Sequence, residues 1–327
     1  MSASRNTAGV PEEILFEILS KLHAKFLVRF RCVSKFFSAL IAGHGFGVVH
    51  HSLSLTLPSR AGVLICFGSR SPHTRRPRSY YKLNFSPGRR PGMRQANRVG
   101  YLDAQSFLCS SSDGLIICVS RPNGDFAVCN FSTGQHIFLP TLIQNQDCAL
   151  LLGFDSESKR YKVLMSRRIR AEYKHWVFTV GVDKSWREIK NYCSSPFYPC
   201  VGYHYPYYSN TCAYIDGVIY SYNSVTGRNM VPRYHIVAFE VGCESFSVIT
   251  LPDKVSPPYY FHRNSALLEV GGRPTIVLVR VPELGEGDGL YYINVWTWEK
   301  SKEYWEILEC LYSMPSTTLR CWGRART

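Results

Sequence analysis

The hydrophobic pattern at the start of the chain predicts three short amphipathic helices between residues 10 and 41. Apolar residues recur at helical spacing in ILFEILSKL, while the glutamates lie off that stripe. Pro11 suits a first helical position, the periodicity restarts at Phe26, and Ser34 can cap a third helix. Three such helices carry more apolar surface than they can bury among themselves, so we expect them to dock on a partner.

Beyond residue 100 the pattern changes to short apolar runs separated by polar turns. It occurs four times, each copy reading strand, strand, polar turn and strand. The copies begin near Phe107, Leu150, Thr211 and Ser265. All-β repeats of about 40 to 60 residues are typical of propeller blades, because each small sheet needs neighbours to bury both of its faces. Two further strand-like runs, Gly62 to Phe67 and Tyr80 to Phe85, precede the repeats.

The net charge of +14 is concentrated in one region. Between Ile18 and Leu102 there are 15 Lys or Arg residues and no Asp or Glu, whereas the rest of the chain is close to neutral. Two basic stretches, residues 69–79 and 86–98, contain Pro, and the second also contains Gly, so we predict that their arginines lie on loops. Two interpretations stay open: a basic patch for an acidic partner or RNA, and solvated loops, which we favour.

The sequence lacks the usual signatures of catalysis and of metal binding. Its 12 cysteines include no C-x-x-C pair, and several lie in apolar runs, which favours a reducing compartment, cytosol or nucleus. No G-x-S-x-G, P-loop or H-E-x-x-H motif occurs, so we expect no enzyme activity, no cofactor and no metal. His50 and His51 are predicted to be surface residues, and GHGFG at Gly43 to Gly47 a linker turn. Signal-peptide and membrane-spanning patterns are also absent.

Two segments rich in tyrosine are the candidate binding surface of the β-region. They span residues 192–208 and 257–262, between predicted repeat units. Tyrosine gives a large contact area at low entropic cost, although the same rings could fill gaps between blades, and we weigh the two interpretations equally. The candidate binding residues are Tyr198, Tyr203, Tyr205, Tyr207, Tyr208, Tyr259 and Tyr260.

The helical block resembles an F-box, the motif that clips a substrate receptor onto the Skp-family adaptor of a cullin-RING ubiquitin ligase. Val10, His23 and Phe37 replace residues that are usual in this motif. The matching residues are Pro11, Glu13, Ile14, Ile18, Leu19, Leu22, Lys25, Leu27, Arg29, Phe30, Cys32, Val33, Ser34, Lys35, Leu40 and Ile41. The resemblance implies that the adaptor is bound by Pro11, Ile14, Ile18, Leu19, Leu22, Leu27, Val33 and Phe37.

The repeats resemble the F-box associated domain of plants, a propeller-like, kelch-type module. The resemblance rests on DGLIIC, CNFSTG, LGFDSESKRYKVL, SWREI, DGVIY, VAFEVGCESFSVITLP and VWTWEKSKEYWEI. It implies an α+β multidomain chain, with a three-helix F-box followed by an all-β propeller-like domain. Because such chains usually continue for another blade while this one stops at CWGRART, we expect an incompletely closed ring. We divide the chain into a disordered N-terminus (1–9), an F-box (10–46), a connecting region (47–106) and the β-domain (107–327).

These resemblances imply a non-catalytic substrate-recognition subunit of a Skp-cullin-F-box ligase, in the cytoplasm or nucleus. Its partners would be the Skp-family adaptor, the cullin-RING ligase and an unknown target protein, with no membrane. Two alternatives stay open: a basic RNA-binding protein that uses the arginine-rich loops of residues 70–98, and an F-box binding module that acts outside the ligase. Salt dependence separates RNA binding from adaptor binding, since phosphate contacts weaken steeply with salt.

Overall fold

The computed structural model describes the helical region and most predicted strands. The described residues are 10–56, 62–67, 79–84, 96–98, 107–112, 114–120, 125–130, 133–141, 148–169, 172–190, 212–226, 232–251, 265–280 and 290–313. Four α-helices come first, and five antiparallel sheets follow among these residues. The helices are α1 (Glu12–Ser20), α2 (Ala24–Arg31), α3 (Lys35–Ala42) and α4 (His44–Thr56). The predicted fold class, N-terminal helices followed by an all-β region, is confirmed.

Each sheet is a meander in which strands consecutive in the chain pair with one another. The first sheet has three strands, β1 (Gly62–Phe67), β2 (Ser79–Asn84) and β3 (Ala96–Arg98). Blade 1 contains β4 (Phe107–Ser112), β5 (Leu115–Ser120), β6 (Asp125–Asn130) and β7 (His136–Phe138). Blade 2 contains β8 (Cys148–Asp155), β9 (Arg160–Ile169), β10 (Glu172–Thr179) and β11 (Arg187–Glu188). Blade 3 contains β12 (Cys212–Ile215), β13 (Val218–Thr226), β14 (Pro232–Glu240) and β15 (Ser245–Thr250). Blade 4 contains β16 (Ser265–Val270), β17 (Arg273–Arg280), β18 (Leu290–Glu299) and β19 (Tyr304–Ser313).

The four predicted repeats are therefore four four-stranded blades, and no described sheet closes into a barrel. The turn between β12 and β13 shows how the sequence sets the hairpins: Asp216 and Gly217 both have positive φ, 45° and 83°. A two-residue hairpin of the primed type requires this conformation, which Asp-Gly adopts readily. One loop assignment is wrong in part, because Ala96–Arg98, at the end of the second basic stretch, is the strand β3.

The helices enclose a small core of their own. Leu19, Leu27 and Phe46 are its buried centre, and the ring of Phe16 meets that of Phe46 edge-on at 5.2 Å. The predicted cap is present, since the Ser34 side chain accepts a hydrogen bond from the Phe37 backbone N–H at 3.2 Å. The result is a four-helix unit in which α2 packs on α3 and α4 packs on α1 and α3.

The helix α4 corrects two predictions. The linker turn predicted at Gly43 to Gly47 is wrong, because α4 begins at His44 and continues to Thr56, across the boundary that we placed between residues 46 and 47. The surface position predicted for His50 and His51 is also wrong. The His50 ring stacks on Phe46, its Nε2 lies 3.0 Å from the Leu22 carbonyl oxygen, and both histidines are half-buried. Tertiary packing here overrides the low helix propensity of glycine.

The same helix also contacts the β-region. The ring of His51 lies 4.5 Å from that of Phe154 and 5.9 Å from that of Tyr161, at the turn between β8 and β9. Through these two contacts α4 joins the helical unit to blade 2. The connection is a packed helix, where the sequence predicted a linker.

Adjacent blades share apolar cores. The faces of blades 1 and 2 meet around Ile117, Val128, Leu150, Leu152 and Val163. Blades 2 and 3 meet around Leu151, Leu164, Val177, Ile219, Val237 and Phe239. Blades 3 and 4 meet around Tyr222, Ile236, Leu267, Ile276 and Trp296. Inner strands such as β8 and β14 bury both faces, so their residues alternate between two cores, as stacked blades require.

The first strands of blades 2, 3 and 4 end on the same face of the stack. The Tyr214 hydroxyl donates a hydrogen bond to the Phe154 carbonyl oxygen at 2.8 Å. A Cβ added at Gly153 would lie 2.6 Å from a methyl group of Val241, so this close approach requires glycine. Likewise, a Cβ at Gly272 would lie 4.0 Å from Asp216 Oδ2. The turns that follow β8, β12 and β16 are therefore neighbours, and α4 lies on their face. The starts of these strands lie on the opposite face.

Two tryptophans tie a blade to the one before it. Trp186, just before β11, donates its Nε1–H to the Pro140 carbonyl oxygen at 2.7 Å, and Trp305 in β19 donates to the Thr250 carbonyl oxygen at 3.0 Å. Phe246, in SFSVI, is the matching residue of blade 3, and its side chain has no N–H group that could donate a hydrogen bond. Its ring instead packs on His175 of blade 2 at 5.0 Å.

A buried ion cluster joins blades 2 and 3 where the tryptophan donor is missing. Lys162 Nζ lies 3.0 Å from Asp155 Oδ2 and 3.1 Å from Glu244 Oε1, and it donates to the Val241 and Gly242 carbonyl oxygens at 3.0 and 3.3 Å. Arg187 holds both Glu244 oxygens, at 2.7 and 2.8 Å. Burial alone would lower the pKa of Lys162, but the hydrogen bonds with Asp155 and Glu244 raise it above its usual value. Lys162 therefore remains charged although it is only 8% exposed.

We expect His175 to make the stability of the blades depend on pH. The residue is 3% exposed, its Nδ1 lies 2.8 Å from Ser166 Oγ, and burial lowers the pKa of His175 from 6.5 to about 4. Between pH 6.5 and 4 the unfolded chain binds a proton that the native chain does not, so stability falls as the pH falls through this window. From pH 7 to pH 5 the loss should be about 2 kcal/mol.

Denaturant unfolding at pH 7 and pH 5 measures this loss. The His175→Gln variant should lose about 2 kcal/mol less than the wild type between the two pH values. His136→Gln, at an exposed position of β7, is the matched control and should behave as the wild type does. Equal losses in the wild type and the His175 variant would contradict the expectation.

Candidate functional site

The predicted adaptor-binding residues divide into a buried and an exposed group. Leu19 and Leu27 are 2% and 5% exposed in the helical core, and Leu22 and Phe37 pack against that core. The exposed group is Pro11, Ile14, Ile18 and Val33. The exposed group is open to direct contact with a partner, whereas Leu19 and Leu27 are not. The first group shapes the unit that presents it.

One edge of α1 is apolar and exposed. Ile14 and Ile18 are 46% and 52% exposed, and their spacing of four residues places them above one another along the helix. Val10, which is 54% exposed, precedes the helix and its N-cap Pro11. The polar edge holds Glu17 and Lys21, whose charged groups pair at 2.7 Å. The sequence predicted a single apolar stripe on α1. The structure divides that stripe into an inner edge through Leu19 and this outer edge.

Further apolar side chains are exposed on α2, on α3 and in the turn between them. Phe26, Val33 and Phe36 are 38%, 67% and 45% exposed. Cationic groups flank Phe26, since Lys25 Nζ and the Arg29 guanidinium lie 5.1 and 5.9 Å from the centre of its ring. Sequence reasoning did not select Phe26 or Phe36. The adjacent pairs Phe26-Leu27 and Phe36-Phe37 carry a usable signal, because a helix directs neighbouring side chains to different faces.

The candidate target-binding tyrosines lie outside the described residues. These are Tyr198, Tyr203, Tyr205, Tyr207, Tyr208, Tyr259 and Tyr260. Their segments lead into β12 and β16, whose first residues, Cys212 and Ser265, lie on the face opposite α4. Most of the basic stretches at 69–79 and 86–98 is likewise outside the described residues.

Two other features are absent from the described part of the chain. It holds no group of three or more His, Cys, Asp or Glu side chains that could bind a metal ion. No helix there has the length and the apolar character that crossing a bilayer needs.

A compact helical unit with exposed apolar side chains is thus packed on a stack of antiparallel blades. Two family models match this chain: the F-box domain over residues 9–48, and the F-box associated beta propeller domain over residues 76–321. The second match covers most of the chain. The chain therefore belongs to the F-box proteins that carry an F-box associated beta propeller domain.

Relatives from Arabidopsis thaliana agree with this assignment. F-box protein At3g47030 is 27% identical over 74% of this chain and 56% of its own length. Putative F-box proteins At3g52320 and At5g62660 are 30% and 28% identical, over 74% and 82% of this chain and 60% and 69% of their own lengths. The matched part of this chain thus spans between about half and two thirds of these three relatives.

Proposed function

We propose that this protein is the target-recognition subunit of a Skp-cullin-F-box ubiquitin ligase, with no catalytic centre of its own. Its helical unit would bind the Skp-family adaptor, and its blades would hold a protein to be ubiquitinated. The rate gain would then come from proximity, because a bound target meets the charged conjugating enzyme at a high effective concentration. We place this complex in the cytosol or the nucleus.

The observation that carries the proposal is the outer edge of α1. An isolated helical unit has no reason to leave Val10, Ile14 and Ile18 half exposed beside a core that buries Leu19. Burying three such side chains on a partner would stabilise a complex by several kcal/mol, at about 25 cal/mol per Å² of apolar surface. The match to the F-box domain supports a Skp-family adaptor as the partner of this edge.

Target binding is proposed for the face opposite α4. The starts of β12 and β16 lie on that face, and in the sequence the segments that hold the candidate tyrosines precede these two strands. An adaptor bound at the helical unit and a target bound at this face would not compete for the same surface. The target itself is a protein whose identity the fold does not specify.

We expect the double variant Ile14→Ala, Ile18→Ala to lose adaptor binding while its melting temperature stays close to that of the wild type. Each exposed anchor removed from the centre of an interface typically costs about 2 kcal/mol, so the pair should weaken binding by roughly a thousandfold. Both residues lie outside the helical core, so stability should change little. Co-purification with the adaptor and the cullin, followed by calorimetric titration of the adaptor, measures the effect.

The matched control is Val182→Ala with Val270→Ala, two valines that are 56% and 51% exposed on the blades. This control should bind the adaptor as the wild type does. Adaptor binding should also persist in about 0.5 M salt, where charge-driven RNA binding would be largely lost. Unchanged affinity in the Ile14/Ile18 variant would remove the proposed interface.

A further inference from the structure

Two cysteines of blade 1 have their sulfur atoms close together. Cys118 in β5 and Cys129 in β6 lie on adjacent antiparallel strands, with Cys118 opposite Ala127 and Cys129 opposite Ile116. The Sγ atoms are 2.8 Å apart, and neither belongs to a disulfide. This separation is longer than the ~2.05 Å of a disulfide bond and shorter than the ~3.5 Å at which unbonded carbon atoms pack. The two thiols are therefore positioned to react with each other.

The two thiols lie on one face of the hairpin, the face that does not pack on blade 2. Ile117 and Val128, which alternate with them, point into the core shared by blades 1 and 2. Both cysteines are 7% exposed, so they are covered but not sealed as completely as Ile117. A link between them would join two strands that already pair and would leave the core between the blades in place.

We propose that Cys118 and Cys129 form a reversible disulfide when the protein meets hydrogen peroxide or an alkyl hydroperoxide. This modification is independent of adaptor binding. In a reducing compartment the pair would rest as thiols, and disulfides that do form there are usually transient and redox-sensing. The bond would close a short loop across β5 and β6 and would stabilise blade 1 in the oxidised protein.

The reaction is balanced with peroxide as the oxidant. The sulfur of Cys129 attacks one peroxide oxygen, so an S–O bond forms as the O–O bond breaks, and the departing hydroxide takes up a proton and leaves as water. The sulfur of Cys118 then attacks the sulfenic sulfur. An S–S bond forms, the S–O bond breaks, and the hydroxyl leaves with the Cys118 proton as a second water. The two thiols thus give two electrons to one peroxide, and two equivalents of a cellular thiol reverse the change.

The assignment of Cys129 as the first nucleophile follows from its neighbour. A hydrogen bond with the Cys118 thiol lowers the pKa of Cys129, against the raising effect of burial. A thiolate is the reactive form towards peroxide, and the adjacent thiol serves as the resolving group. The neighbours recorded for Cys243 among the described residues are oxygen atoms: its Sγ lies 3.0 Å from Ser245 Oγ and 3.3 Å from Glu240 Oε2.

To test this, the full native chain is treated with hydrogen peroxide and the peroxide is then quenched. The remaining thiols are alkylated under denaturing conditions, and the protein is digested at the amino side of aspartate. Cleavage at Asp113, Asp125 and Asp147 gives peptides 113–124 and 125–146, which hold Cys118 and Cys129 as their single cysteines. We expect these two peptides to be cross-linked, with a loss of two hydrogen masses, and dithiothreitol to separate them. In Cys129→Ala, loss of the Cys118 thiol should slow on the order of tenfold.

The control is Cys243→Ala, which should give the same cross-link as the wild type. The oxidised wild type should also melt at a higher temperature than the reduced wild type, a difference that is absent in Cys129→Ala. Recovery of both peptides in alkylated form after peroxide would overturn the proposal, as would a sulfinic acid at Cys129 without a cross-link. A disulfide that joins other cysteines, with Cys118 and Cys129 alkylated, would overturn it as well.

Discussion

Replacing Lys162 with methionine should lower the stability of the β-region by about 3 kcal/mol, because it leaves two carboxylates without their shared cation. Lys162 Nζ lies 3.0 Å from Asp155 and 3.1 Å from Glu244, and its side chain is 10% exposed. Methionine keeps the length of the side chain, so the variant removes charge and hydrogen bonds more than volume. The melting temperature should fall by about 6 to 12 °C if the region unfolds as one unit.

The matched control is Lys174→Met, which breaks a pair of similar length on the same blade. Lys174 Nζ is 3.2 Å from Glu188 Oε1, but both side chains are more than a third exposed, so the change should cost less than about 1 kcal/mol. Differential scanning calorimetry of the wild type and the two variants compares these effects. Equal shifts in melting temperature for the two lysine variants would show that burial of the Lys162 cluster adds no stability to the contact between blades 2 and 3.

Replacing Phe46 with alanine should destabilise the helical unit by about 3 to 5 kcal/mol, the usual cost of removing a buried aromatic ring. Phe46 is 3% exposed, its ring contacts Phe16 at 5.2 Å, and the His50 ring stacks on it. The helix α4 carries two glycines and has little intrinsic tendency to form, so it depends on this contact. Hydrogen exchange of the α4 amides, compared with those of the blades, measures the local loss.

Phe36→Ala provides the contrast, since Phe36 is 45% exposed on α3. Phe36→Ala should leave the amide exchange rates of α4 unchanged and should weaken adaptor binding. Phe46→Ala should raise the amide exchange rates of α4 more than those of the blades. If Phe46→Ala left α4 protected, the helix would have to be held by contacts other than its own core residue.

The elements that the sequence predicted well are those whose residues repeat at a fixed period. Helices α1 to α3 follow from the spacing of apolar residues, and the four blades follow from recurring strand and turn patterns such as Asp216-Gly217. These signals are local, so no knowledge of distant contacts was needed. The helix α4 was not predicted from the sequence, because GHGFG has a low helix propensity. This segment is helical because Phe46 packs on residues that are distant in the chain.

The candidate site was predictable in composition but not in geometry. One periodic stripe contains Ile14, Ile18, Leu19 and Leu22. Periodicity alone does not show which edge of this stripe is buried by another helix of the same chain. That distinction depends on where α4 lies, and α4 was the element that the pattern missed. Once α4 covers the inner edge through Leu19, the outer edge of Ile14 and Ile18 remains. The role of the tyrosine segments stays a prediction.

The two tryptophan hydrogen bonds and the Phe246 exception make the blades non-interchangeable. A blade with Trp186 or Trp305 needs a carbonyl acceptor on the blade before it, whereas blade 3 needs a neighbour that supplies the Lys162 and Asp155 pair. A chimera that exchanged blades 3 and 4 would set Trp305 against blade 2 and would leave Glu244 without its lysine. Gain or loss of a single blade during evolution would therefore require new contacts between the blades that become neighbours.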